Sequence, residues 1–225
     1  MPIEQRSLVD LAVDEIQRLI HTGMYKPGEK LREEQLSEEL GISRPPLREA
    51  LRELAQRGIV EQSPRRGTRV VSLSAREVIE IYTLRAALEN FAAVSAFPHP
   101  NPESIAKMRD ALQDMSKAAA SSDHAEIVRS NRDFHVALVS MADHSLLLRT
   151  YIGLMDTMQL CMSDNLRAET TRAGDYESGV KRHEVLLESI EKGDLSQILA
   201  ALQDHGERQV IPEDHGDSPD EEGQV

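Results

Sequence analysis

From Ser74 to about residue 210 the apolar residues return only at three- and four-residue steps, with no stretch of strict alternation. A chain patterned this way buries one face of each segment as an α-helix and has nothing from which to build a sheet. Helical stretches fall at about 75–97, 102–120, 124–142, 145–170, 176–192 and 194–210. Breaks lie at Pro98-His99-Pro100, Ser121-Ser122, Asp143-His144, Gly174 and Gly193-Asp194. The pattern predicts an all-α bundle of about six helices. With no Trp, three Phe and four Tyr, its core must be built from Leu, Ile, Val, Ala and Met.

The first seventy residues read differently. Val9, Ala12, Ile16, Leu19 and Ile20 predict a helix from about Ser7 to His21, stopped by Gly23, and Lys26-Pro27-Gly28 is a turn. A second helix runs from Glu33 to Leu40, ended by Gly41. Ser43 then caps a third, with Pro45 and Pro46 in its first turn, where backbone N–H groups lack partners anyway. Leu47, Ala50, Leu51 and Leu54 are its core face, and Gly58 ends it. Here the period changes to that of strands, at 59–61 and 68–71, joined through the turn Pro64-Arg65-Arg66-Gly67. Three helices followed by a basic hairpin describe a winged helix-turn-helix. The fold expected is therefore mainly α, with a winged head at 1–73, a helical domain at 74–210 and an acidic disordered tail at 211–225.

The net charge of -13 argues, taken whole, against a nucleic-acid partner. Resolved along the chain it does not. Residues 1–73 balance 12 Lys+Arg against 12 Asp+Glu, while 74–225 hold 14 against 27. Within the head, residues 40–72 carry 7 basic and 3 acidic side chains. One cysteine, Cys161, excludes a disulfide framework and a cysteine-based zinc cluster, and reads as a small apolar residue. No apolar run approaches the roughly 18 residues of a membrane span, so a cytoplasmic protein is expected.

Arg44, Arg48 and Arg52 lie four apart and form one row on the third helix, beside its leucine stripe. Like charges at that spacing cost a helix a few tenths of a kcal/mol per pair, so the row points to an anionic partner. Arginines near a helix N-terminus can reach guanine edges in the major groove, and the wing arginines Arg65, Arg66 and Arg69 suit backbone or minor-groove contact. The run KPGEKLREEQLSEELGISRPPLREALRELAQRGIVEQSPRRGTRVV (26–71) resembles the DNA-binding domain of GntR-family bacterial transcription regulators. The resemblance implies operator-base contacts from Arg44 and Arg48 and a wing glycine at Gly67. Ser43, Arg52, Arg65, Arg66 and Thr68 complete the candidate DNA-contacting set. Fatty-acid-responsive members carry a further DNA-contacting arginine on the second helix, and Glu34 stands in its place here.

Three of the eight histidines fall on apolar faces: His135 with Ile127, Asn131 and Leu138; His183 between Val180 and Leu187; His205 after Leu195, Ile198 and Leu202. They are either core histidines or ligands for zinc, nickel, copper or iron in a bundle interior. Asn131 sits one turn before His135 and can join the same centre, whereas Asp133 points away. His21, His99, His124, His144 and His215 read as surface, loop or tail residues, and Met155, Met158 and Met162 as packing. The segments EVIEIYTLRAALENFAA (77–93), NRDFHVAL (131–138), RHEVLLESIEKGD (182–194) and ALQDHGE (201–207) resemble the FCD effector domain of the fatty-acid-regulator branch of the GntR family. That resemblance implies a divalent metal, zinc or nickel, held by His135, His183 and His205, with Asn131 where many members have Asp. It also implies a small carboxylate effector beside the metal. Arg85 is the candidate partner for that carboxylate, or simply the partner of Glu89 one turn on.

The expected function is a ligand-responsive transcription regulator, a repressor of a metabolic operon. It would act as a homodimer on a pseudo-palindromic double-stranded operator. The alternatives are a helical domain serving only dimerisation, or a metal-dependent enzyme. The latter lacks a placed general base, since Glu184 follows His183 directly and points away.

Overall fold

A computed structural model describes residues 7–173 and 176–207, with side chains for 7–160 and 176–205. The break at Gly174, the packing roles of Cys161 and Met162, and the tail 211–225 lie outside the described residues. The head runs α1 (Leu8–His21), β1 (Lys30–Leu31), α2 (Glu33–Leu40), α3 (Arg44–Gln56), β2 (Val60–Ser63) and β3 (Gly67–Val70). The bundle follows as α4 (Ala75–Ala96), α5 (Pro102–Ser121), α6 (His124–Ser140), α7 (Ser145–Ala173), α8 (Glu177–Lys192) and α9 (Leu195–Glu207).

The helix starts are set by local chemistry. Ser7 and Asp10 exchange hydrogen bonds of 3.0 Å each way, a capping box that satisfies otherwise unpaired donors at the start of α1. Ser74 and Glu77 do the same for α4. Ser43 occupies the cap position of α3 but makes no side-chain cap bond. The sequence explains this: a cap oxygen accepts from the second or third helical N–H, and those positions are Pro45 and Pro46. The fixed proline φ supports the start of α3 instead, and Ser43 remains exposed.

The expected hairpin is β2–β3, paired from Val60↔Val70 to Ser63↔Gly67. A third strand was not anticipated. β1 pairs with the other edge of β3, Lys30 opposite Arg69 and Leu31 opposite Thr68. Two residues carry no alternation to read, so only tertiary pairing reveals this strand. β3 is thus the central strand, and Thr68 and Val70 face inward.

Each half has its own apolar cluster. In the head, Ile16, Leu36, Leu47, Leu51, Leu54 and Ile59 are fully buried. In the bundle, Met108, Met115, Phe134, Leu138, Tyr151 and Met155 fill the centre. The two halves meet along α7. Leu160 inserts into the head's cluster, and Gln17 of α1 donates to Gln159 Oε1 at 3.1 Å. Gly58 has φ 72°, and a Cβ there would stand 3.0 Å from Thr157 Oγ1, so this close approach requires glycine. Nearby, Arg132 of α6 reaches Asp156 of α7 at 2.8 Å.

His21, expected at the surface, is instead packed into this junction, because α7 docks over the end of α1. Burial pushes its pKa down to about 4 from 6.5, with Asp156 opposing and Arg132 assisting. Between those values the unfolded chain carries a proton that the folded chain lacks, so stability falls as pH drops from 6.5 toward 4. Urea midpoints measured across that window should decline, and less steeply in His21→Gln. An identical pH slope in the variant would contradict this placement.

Candidate nucleic-acid interface and buried histidine centre

On α3 the arginine row is exposed as its spacing requires: the side chains of Arg44, Arg48 and Arg52 retain 58%, 57% and 62% of their accessible surface. None is unpaired. Arg44 Nη2 donates to Glu34 Oε1 at 3.0 Å, Arg48 Nε to Glu33 Oε2 at 2.8 Å, and Arg52 Nη1 to Glu49 Oε1 at 2.5 Å. Two of the three partners come from the first turn of α2, so the compensation missing along the row arrives from a neighbouring helix. The wing presents Arg65 and Arg66 on the surface, with Arg65 in the left-handed region at φ 66°. Gly67 follows at φ 87°, a conformation a side chain would strain. Arg69 is tethered, donating to the carbonyl of Gly28 at 3.0 Å. Thr68 corrects the candidate set: its side chain is 5% exposed, facing the head's core from the central strand, so it holds the wing from within.

The bundle interior brings together the three histidines that the sequence places on separate helices. His135 Nε2 lies 3.2 Å from His183 Nε2 and 3.0 Å from His205 Nε2, and all three rings are buried. His183 Nδ1 sits 2.7 Å from the carbonyl of Gly179, which can only accept, so Nδ1 carries the proton and Nε2 offers its lone pair to the cluster. His135 Nδ1 lies 3.0 Å from Glu89 Oε1 without the geometry of a hydrogen bond, and its Nε2 faces the other two rings. Burial holds all three imidazoles below their ordinary pKa and hence neutral near pH 7.

That donor set fits a metal. Nitrogens bound at about 2.0–2.1 Å to one ion stand roughly 3.0–3.4 Å apart, which matches the two spacings around His135. Among the described residues, these histidines form a group able to share one ion. Asn131 is buried one turn before His135 on α6, while Asp133 faces outward beside Arg129 and Arg132.

Arg85 reaches the same centre. Its Nε donates to Glu89 Oε1 at 2.7 Å, the intrahelical pair that the sequence offers, and its Nη2 lies 2.6 Å from His135 Nε2. Glu89 also accepts from Tyr151 Oη at 2.5 Å. Burial alone would raise the Glu89 pKa, but Arg85 and His135 outweigh it and keep the carboxylate ionised. Glu89 and Tyr151 are the members that sequence reasoning missed. Glu89 was visible only as the residue one turn after Arg85, and Tyr151 carried no signal because α7 meets this point only in the fold. A separate cavity of about 820 Å³ opens between the ends of α5 and α8, and its lining, including Ser116, Tyr176, Lys181 and Glu184, does not include the histidines.

Comparison with known proteins is consistent across both halves. Residues 8–70 match the bacterial regulatory proteins of the gntR family, and residues 80–208 match the FCD domain. YdhC of Bacillus subtilis, an uncharacterized HTH-type transcriptional regulator, is 30% identical over 182 residues, 80% of this chain and 79% of that one. The gluconate operon transcriptional repressor of Bacillus licheniformis is 28% identical over 189 residues, 84% and 77% of the two chains. Among solved structures, a putative GntR transcriptional regulator from Rhodococcus superposes with a TM-score of 0.77 at 19% identity, over 90% of this chain and 95% of that one. McbR/YncC of E. coli gives 0.73 at 22% identity with the same coverages. At such identities the two structures speak for the fold alone.

Removing one partner of a buried ion pair leaves an uncompensated charge, at a cost of about 3–5 kcal/mol. Glu89→Gln should therefore lower the unfolding free energy by about that amount, measured by denaturant titration. A loss below about 1 kcal/mol would show that Arg85 does not depend on Glu89.

Proposed function

The chain belongs to the GntR family of bacterial regulatory proteins, with an FCD domain in its second half, and on that premise we propose that it is a transcriptional repressor controlled by a small carboxylate. Its relatives are transcription regulators, and this chain is a regulator rather than an enzyme. The observation that carries the finer reading is the pairing of an exposed arginine row with a buried histidine centre, joined by a continuous packed route.

In this reading residues 1–73 read DNA. Arg44, Arg48 and Arg52 enter the major groove with Ser43 at the start of the helix, and Arg65, Arg66 and Gly67 follow the backbone. Residues 74–210 sense the ligand. His135, His183 and His205, with Asn131, would hold a divalent ion; neutral imidazoles suit zinc or nickel. Bound there, the ion supplies an open coordination position for a carboxylate oxygen. The electrostatics support an anion: Arg85 and Glu89 already cancel, so a divalent cation leaves the buried cluster positive. Arg85 then exchanges part of its contact with His135 for the ligand carboxylate.

The route to the head is physical. α6 carries Asn131 and His135 and, between them, Arg132, which grips Asp156 on α7; α7 in turn packs on α1 through Gln159 and Leu160. A ligand that favours one setting of α6 against α7 shifts the head, provided its affinity differs between the two settings. A pseudo-palindromic operator requires two heads, and the outer face of α4 suits a homodimer. Leu84, Phe91 and Val94 there, with Leu146 alongside, are 48% to 57% exposed, an apolar stripe that a second copy would cover. Such a protein works in the cytoplasm, where the chromosome is.

Replacing Arg44 and Arg48 together by Ala should abolish preference for a selected duplex over a scrambled one, measured by fluorescence anisotropy. Retained sequence preference would refute the assignment. In the wild type, a thermal-shift screen of small carboxylates with and without added zinc or nickel should give a hit whose shift needs the metal and whose presence weakens duplex binding. If no carboxylate moves either quantity, the helical domain is a dimerisation module instead.

A further inference from the structure

The two acids that open α2 are placed against the two arginines that open the reading helix, and they engage them through different nitrogens. Arg48 gives its Nε to Glu33, leaving the Nη1/Nη2 edge directed away from that carboxylate. Arg44 gives Nη2 itself to Glu34. The distinction matters because arginine reads guanine O6 and N7 through a pair of parallel donors. A guanidinium braced at Nε keeps a complete pair for the base and loses rotamer freedom in advance. One held at Nη2 must exchange a carboxylate for its target before it can read anything.

We infer that Glu33 and Glu34 set the DNA specificity of the head in opposite ways: Glu33 positions Arg48 for a guanine, and Glu34 competes with DNA for Arg44. Burial agrees with this division. Glu33 retains 37% of its side-chain surface and Glu34 78%, so Glu33 is the better-fixed brace and Glu34 the one more open to displacement. Both lie in the first turn of α2, where the helix dipole stabilises a carboxylate, so neither needs an arginine to stay in place. The charge balance gives the competition its consequence. A head with 12 basic and 12 acidic side chains draws little affinity from phosphate attraction, and a carboxylate in the reading surface penalises any contact that offers only phosphates. A base edge that satisfies both donors of Arg44 repays the exchange, and a featureless backbone does not. The inference rests on the DNA-reading proposal above.

The test uses the full-length wild type, Glu33→Gln and Glu34→Gln, each an isosteric change on an exposed helix, checked first for an unchanged thermal midpoint. The probes are a duplex selected from a random library by the wild type and a scrambled duplex of equal length, titrated at several salt concentrations. Glu34→Gln should tighten scrambled binding by about threefold to tenfold and steepen its log–log salt slope toward one additional ion released, with a smaller gain on the selected duplex. Glu33→Gln should weaken the selected duplex by about tenfold and leave the scrambled one and its salt slope unchanged. Placing 7-deazaguanine in the selected duplex, which removes the N7 acceptor, should weaken the wild type far more than Glu33→Gln. If both variants keep the wild-type specificity ratio within about twofold, the inference is overturned while DNA reading stands. If the wild type selects no duplex at all, the DNA-reading proposal itself fails, and this one with it.

Discussion

Two full charges, Arg85 and Glu89, lie inside the helical half with 3% and 5% of their side-chain surface left, and the arrangement around them depends on keeping both compensated. Taking such ions out of water costs several kcal/mol each, and a buried pair is therefore weak as a source of stability but strict about geometry. Glu89 must accept from Arg85 and Tyr151 together, and Arg85 must reach both Glu89 and His135. Those demands fix α4 against α6 and α7. The histidines of α8 and α9 then close on the same point, so five helices are set in register by one polar cluster in an aliphatic core. Well-packed hydrophobic residues in its place would give a core at least as stable, so stability alone does not account for the cluster.

The same logic runs in reverse at the head. Its arginine–glutamate pairs are exposed, screened by salt and worth little for stability, about 0–1 kcal/mol each. In the proposed reading, the Arg44–Glu34 pair is cheap enough to be exchanged on contact with DNA, while Glu33 stays as a brace on Arg48. Between the buried cluster and these exposed pairs stands α7, which carries Tyr151 at one site, Asp156 on the path and Leu160 in the head's own core. One helix thus links the buried cluster to the head's apolar core.

Much of this was legible in the sequence because it is written in local chemistry. Ser7 and Ser74 mark helix starts, Gly41 and Gly193 mark ends, and the spacing of His135, His183 and His205 places each on an apolar face. What was not legible depends on tertiary partners. β1 is two residues long and exists only because β3 lies beside it. His21 is half-buried only because α7 packs beside it, and Thr68 turns inward only because β3 is central. Arg85 shows the limit most clearly: its neighbour four residues on offered an ion pair, which forms, while the contacts to His135 and, through Glu89, to Tyr151 appear only in the fold.

The claim that the buried cluster is built around a bound cation is tested most directly by elemental analysis. Purified full-length protein, reconstituted with zinc or nickel and freed of excess, would be measured beside His183→Ala treated identically. About one equivalent of metal per chain is expected in the wild type, lost in the variant. Less than about a tenth of an equivalent in the reconstituted wild type would contradict it.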